Sequence, residues 1–142
     1  NLNLKIVLYS KWNQVDMNTD ILLIDSYGET SKFYNISKCV LLGKSLIKSS
    51  TNGGGQNPIE PSRFGCKIFH GPNVSNFAEI YEYLKSLGVA EQVSSPEELI
   101  QSLDEEFKED KTNNNHITEK IDNYGLNILN NVIKEIKIYI NT

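Results

Sequence analysis

Short, unbroken apolar runs constrain this chain more than any other feature. Ile21–Ile24 runs into Asp25, and Cys39–Leu42 runs into Gly43. A strand with one wet face alternates apolar and polar residues. An unbroken short run suits a parallel strand covered on both faces. Leu4–Tyr9 and Lys67–Phe69 read as further strands, and Glu91–Val93 as a short edge strand. Helix patterns fall between and after them. A short helix is expected over Ser31–Ile36, and another from Pro58, since proline fits the first helical turn. A third is expected over Asn76–Leu87, capped by Ser75 and stopped by Gly88, with Phe77, Ile80, Tyr81 and Leu84 on its buried face. In Ser95-Pro96-Glu97-Glu98, Ser95 caps, Pro96 takes the first helical position and Glu98 completes a capping box, for a helix running to about Lys108. After a polar hinge at Glu109–Asn115 comes a last amphipathic helix. Ile117, Ile121, Tyr124, Ile128, Val132, Ile136 and Ile140 form one stripe along it. Alternating strands and helices predict an α/β fold with a parallel sheet, flanking helices and right-handed crossovers.

Composition narrows the class. The chain has 142 residues, enough for one core, and its 39% hydrophobic and 23% charged residues are ordinary for a globular domain. No apolar run reaches bilayer-spanning length, and the opening Asn-Leu-Asn-Leu lacks the basic flank of a signal peptide. The sole methionine is Met17, so the sequence reads as part of a longer protein. A net charge of -4 and a pI near 5.2 argue against nucleic-acid binding, which needs a clustered basic surface. Cys39 and Cys66 lie in apolar segments and are expected as buried, reduced thiols in a cytoplasmic setting. There is no CxxC or Cys/His pattern, and the two histidines are far apart, so no metal site is expected.

In parallel sheets, ligands gather at the carboxyl ends of the strands. Two loops there carry the candidates. In Gly53-Gly54-Gly55-Gln56-Asn57-Pro58-Ile59-Glu60-Pro61, glycines allow a phosphate close to backbone N–H groups, and the following helix adds its dipole. Asn57 can donate to phosphate or cap the helix. Glu60 can accept from two ribose hydroxyls. In Ser26-Tyr27-Gly28-Glu29, Gly28 offers an N–H, and Glu29 either binds a base or hydroxyl or serves a helix N-terminal turn. Lys44, in Gly43-Lys44-Ser45, is either a phosphate contact or a solvated charge, and the spacing is not that of a P-loop. His70, before Gly71-Pro72, and Asn76 are lesser candidates; a lone histidine is more often structural. His116 reads as solvated, and the paired acids Glu97/Glu98 and Glu105/Glu106 as helix surface. No nucleophile–base pair can be read from spacing.

Several of these segments together resemble one family. Ile21–Glu29 ends Asp-Ser-Tyr-Gly-Glu. Cys39–Leu46 reads Cys-Val-Leu-Leu-Gly-Lys-Ser-Leu. Then follow Gly54-Gly55-Gln56-Asn57-Pro58-Ile59-Glu60-Pro61, Phe69-His70-Gly71-Pro72 and Asn76-Phe77. Their order and spacing, from about Ile21 to Leu103, resemble the C-terminal domain of 3-deoxy-D-manno-octulosonic acid (Kdo) transferases. Those carry Asp-Thr-x-Gly-Glu, Gly-Gly-Ser, Gly-Gly-His-Asn-Pro-Leu-Glu-Pro and Gly-Pro…Asn-Phe. The resemblance implies a GT-B C-terminal domain: a Rossmann-like parallel sheet with flanking helices, here incomplete. Residues 1–108 would be the nucleotide-sugar domain, and 109–142 the hinge and C-terminal helix. It implies transfer of Kdo from CMP-Kdo to a lipid A precursor at the cytoplasmic face of the bacterial inner membrane, in lipopolysaccharide synthesis, without metal or cofactor. A transferase for another nucleotide sugar, such as a UDP-sugar, and a non-enzymatic nucleotide-binding module are the alternatives. Tyr27, Gly28, Glu29, Gly54, Gly55, Asn57, Pro58, Ile59 and Glu60 would contact the CMP part. The catalytic base would lie in an N-terminal domain, so this chain holds no catalytic residue and is not expected to transfer sugar alone. Gln56 stands in place of the family histidine, Lys44 in place of a glycine, and the Lys48–Gly53 loop is longer. The last helix would pack either on the N-terminal domain or on this domain's own sheet. Its balanced charges, Lys120, Lys134 and Lys137 against Glu119, Asp122 and Glu135, disfavour membrane docking.

Overall fold

A computed structural model describes residues 3–12, 18–47, 54–108 and 115–140. The expected Lys48–Gly53 loop and most of the Glu109–Asn115 hinge lie outside the described residues. Contacts divide the chain into two units, up to Phe33 and from Tyr34 onward.

The first unit holds two parallel strands, β1 (Ile6–Leu8) and β2 (Ile21–Leu23), with Ile6 opposite Ile21 and Leu8 opposite Leu23. Side chains pin both ends. Asp20 accepts the Lys5 N–H at 2.8 Å, and Asp25 accepts the Ser10 N–H at 2.9 Å and its hydroxyl at 2.6 Å. These donations from Ser10 hold the Asp25 carboxyl below its ordinary range. The Ile21–Asp25 run was expected to be covered on both faces. Instead β2 has one exposed face, with Ile21 and Leu23 exposed and Leu22 half-buried. Helix α1 (Thr30–Tyr34) follows, shorter than the expected Ser31–Ile36 at its carboxyl end.

The second unit contains the core. Strands β3 (Cys39–Leu41), β4 (Lys67–His70) and β5 (Ala90–Gln92) form a parallel sheet in the order β3-β4-β5, so β5 is an edge as expected. Cys39 faces Lys67 and Ile68 faces Ala90. Between strands lie α2 (Ile59–Arg63), packed on β4, and α3 (Ala78–Ser86), packed on β5. Helices α4 (Pro96–Lys108) and α5 (Asn115–Ile140) complete the unit. The core gathers Leu42, Ile68, Tyr81, Leu84, Val89, Ala90 and Ile121. Cys66 is buried and Cys39 half-buried, both as free thiols.

Two local expectations change, at α3 and α4. Ser75 does not cap a helix: Ser75–Phe77 is a tight 3-10 turn closed by Phe77 N–H on the Val74 carbonyl at 2.9 Å, and α3 begins only at Ala78. Pro58 leads into α2, and Asn57 accepts the Ile59 N–H there, the capping role of the two expected of it. At α4, Ser95 Oγ accepts the Glu98 N–H at 3.1 Å as expected, but Glu98 reaches one residue further back, accepting from Ser94 N–H at 2.7 Å. The end of α3 is as expected: Gly88 N–H bonds the Lys85 carbonyl and Val89 N–H the Leu84 carbonyl, both at 2.9 Å.

Candidate functional site

The carboxyl ends of β3 and β4 are tied together by one buried serine. Ser45 Oγ donates to the Leu42 carbonyl at 2.6 Å and accepts from Gly71 N–H at 2.9 Å. Its own carbonyl accepts from Asn73 N–H at 2.9 Å and from Asn73 Nδ2 at 3.1 Å. Ser45 thereby satisfies polar groups that a buried loop would otherwise leave without partners.

The Gly54–Glu60 loop packs onto these strand ends. Gly55 N–H donates to the Lys44 carbonyl at 2.9 Å. A Cβ on Gly54 would fall 2.5 Å from the Asn73 carbonyl oxygen, and Gly55 has φ +79° beside Val74. The glycines were expected to let a ligand approach. Here they let the loop lie against residues 73–74, which sets where the next four residues stand. Tyr81, from α3, donates its hydroxyl to the Gln56 carbonyl at 2.8 Å. Burial raises the Tyr81 phenol to about 12, so it remains a donor at any working pH. Asn57 Oδ1 accepts the Ile59 N–H at 3.0 Å, which leaves its amide hydrogens for a ligand. Glu60 is exposed in the first turn of α2, while Pro58 is buried and Ile59 half-buried. At five residues, α2 carries little more than one turn, so the dipole expected at Pro58 is small.

Lys44 has φ +58°, the one non-glycine residue with positive φ among the described residues. That backbone costs an L-residue about 1 kcal/mol or more relative to glycine. The glycine of the resembled motif that Lys44 replaces is the sequence signal that points to it.

His70 ends β4 and is buried against Tyr81, ring centroids 4.3 Å apart. Its Nδ1 lies 2.7 Å from the Gly71 carbonyl and so carries the proton, while the buried Nε2 has no hydrogen-bond partner. Burial, the largest effect, lowers its pKa, opposed by the Gly71 carbonyl and Glu82 and assisted by Lys85. Its role is structural, since it supports the tyrosine that holds the loop. The folded form therefore favours neutral His70. This contribution is fully present above the unfolded value near pH 6.5 and is lost as pH falls below it. Urea midpoints of the chain should fall between about pH 6.5 and 5, and His70→Phe should flatten that slope; an unchanged slope would count against it.

Tyr27, Gly28 and Glu29 lie in the first unit. Tyr27 is fully exposed and Gly28 has φ +81°. Glu29 accepts the Lys32 N–H through its carbonyl and pairs with Lys32 Nζ at 2.6 Å. This is the helix-turn role of the two readings, and the pair raises the Lys32 pKa. Asn76 sits exposed in the 3-10 turn, and the side chain of His116 is outside the described set. Ser45, Tyr81 and Gly71 were not singled out as site residues. Their hydrogen bonds and close contacts cross 25 or more residues of sequence, which no local pattern reports. No group of His, Cys, Asp and Glu suited to a metal occurs among the described residues.

Parallel strands with flanking helices and a glycine-rich loop seated on their carboxyl ends define a Rossmann-like α/β domain of the GT-B kind. It aligns with the C-terminal CMP-Kdo binding domain of WaaA from Acinetobacter baumannii at a TM-score of 0.67 and 23% identity, over 84% of this chain and 57% of that one. In sequence it is 34% identical over 113 residues to a 3-deoxy-D-manno-octulosonic acid transferase of Haemophilus influenzae, and 27% identical over 90 residues to one of Aquifex aeolicus. These alignments take in 79% and 63% of this chain. The chain is a relative of the Kdo transferases, and the part of them it resembles is the C-terminal domain. It spans about a quarter of the length of these relatives, 24% in both cases. No family model matches it.

Proposed function

We propose that this chain binds the CMP part of a CMP-Kdo donor, in a protein that transfers Kdo to a lipid A precursor at the cytoplasmic face of the inner membrane. The observation that carries the reading is the Gly54–Glu60 loop. It is fastened at Gly55 to Lys44, at the carboxyl end of β3, and at Gln56 to Tyr81 of α3, with the Asn57 amide and the Glu60 carboxylate beyond those anchors. Gly54 and Gly55 set the loop, Pro58 and Ile59 anchor it, Asn57 donates to phosphate and Glu60 accepts from ribose. Tyr27, Gly28 and Glu29 rest on the motif alone as CMP contacts. Transfer itself needs a base from outside this chain and, following the resemblance, no metal or cofactor. The acceptor and the membrane surface are likewise met by the rest of such a protein. No helix among the described residues is long and apolar enough to cross a membrane.

The test is a CMP titration of the isotope-labelled chain by NMR, with UMP as control. Saturable shifts at Gly54–Glu60, weaker with UMP and lost in Glu60→Ala, are the expected result. Glu29→Ala in the same titration tests the motif-based contacts. Equal response to UMP would move the reading to a UDP-sugar transferase, and no response to either nucleotide would overturn it.

A further inference from the structure

We propose that Lys44 fixes the phosphate of the bound nucleotide, an inference that rests on the donor-site reading above and adds a charge-specific residue to it. The backbone at this position is dictated from both sides. The Lys44 carbonyl accepts Gly55 N–H at 2.9 Å, and the next residue, Ser45, is buried with its carbonyl on Asn73. Lys44 itself takes φ +58°, a conformation that glycine takes freely. A strained residue held where glycine would serve is a reason to look for what its side chain does.

The side chain is a long cation, exposed at the carboxyl end of β3, where ligands of parallel sheets bind. Two cations near this sheet, Arg63 and Lys67, are engaged elsewhere. Arg63 pairs with Asp122 at 2.8 Å, and Lys67 pairs with Glu91 at 3.2 Å and donates to the Gly88 carbonyl at 3.1 Å. For Lys44 no ion pair occurs among the described residues. Its carbonyl is bonded to Gly55, two residues before Asn57, so the Lys44 backbone is tied to the loop that carries the amide. A phosphate approached by Asn57 would meet the Lys44 ammonium as a point charge, without the bidentate geometry an arginine imposes. In a chain of net charge -4, one cation held at this loop also opposes the general repulsion of an anionic nucleotide.

Binding of CMP and of cytidine, which lacks the phosphate, by the unaltered chain and by Lys44→Gly, Lys44→Arg and Glu60→Ala separates the possibilities. The expected result is that Lys44→Gly weakens CMP about tenfold, leaves cytidine unchanged and melts no lower than the parent. Lys44→Arg should keep most of the CMP affinity. If Glu60→Ala loses both ligands while Lys44→Gly binds CMP like the parent, the Lys44 inference falls and the donor-site reading stands. If Lys44→Gly weakens cytidine as much as CMP, the residue shapes the loop and does not read phosphate, and the inference falls. If the unaltered chain binds neither ligand, the donor-site reading falls and takes this inference with it.

Discussion

Gly71→Ala should remove the folded state of the second unit, or leave it destabilised by about 3 kcal/mol or more. A Cβ at Gly71 would lie 2.3 Å from the Ser45 carbonyl oxygen and 2.5 Å from Leu46 Cα. Both are backbone atoms, so no rotamer change relieves the contact. Ser45 cannot retreat either, because its hydroxyl and carbonyl hold Leu42, Gly71 and Asn73 together. Separating the two segments would leave the Gly71 N–H buried without its acceptor, which by itself costs about 1–3 kcal/mol. Gly43→Ala is the control. It lies at the neighbouring strand end, after β3, has open space at its Cβ and does not need a positive φ. It should change stability by about 0.5 kcal/mol or less. Urea denaturation of both variants, followed by circular dichroism, measures the difference. A Gly71→Ala chain as stable as the parent would show that the strand ends are not joined as described.

Ile121→Ala should cost about 2–4 kcal/mol, whereas Ile136→Ala should leave the chain's stability within about 0.5 kcal/mol. Both residues belong to the single apolar stripe of α5. Ile121 is 2% exposed and part of the core, close to Ile117, and α5 is fastened there by side chains of two helices, α2 and α3. Arg63 from α2 pairs with Asp122 at 2.8 Å. The Tyr83 ring stacks on Tyr124 at 4.1 Å, and its hydroxyl donates to the Lys120 carbonyl at 3.0 Å. Beyond Tyr124 the helix loses this cover. Ile128 is 45% exposed and Ile136 51% exposed. Of the two packing modes expected of this helix, packing on its own domain holds for the first turns, and the rest of the stripe meets no described residue closely enough to be buried. Equal losses for the two substitutions would contradict this division.

Much of the fold was legible because it is local. The unbroken runs at Ile21 and Cys39 named strands, and the Ser95–Glu98 pattern named the start of α4. Gly88 marked the end of α3 because an αL residue there needs no Cβ. The misread start of α3 has a local cause that the pattern hides: at Ser75 a 3-10 turn occupies the place of the first helical turn. At α2 the pattern reads correctly, with Asn57 accepting the Ile59 N–H beside Pro58. For the candidate site, the motif spacing picked out the Gly54–Glu60 loop, and what it could not show is that Gly54 and Gly55 lie against Asn73 and Val74.

By itself the sequence determined the parallel α/β class, the order of elements, the kinship with Kdo transferases and the loop to examine, since each depends on residues close together in the chain. Only the tertiary structure decided that Ser45 joins two strand ends, that Tyr81 holds Gln56, that Lys44 is strained and that α5 buries only its first turns. Those facts depend on which distant backbone groups meet. A periodic pattern tells which side chains share a face, but it cannot tell how far along that face a partner extends.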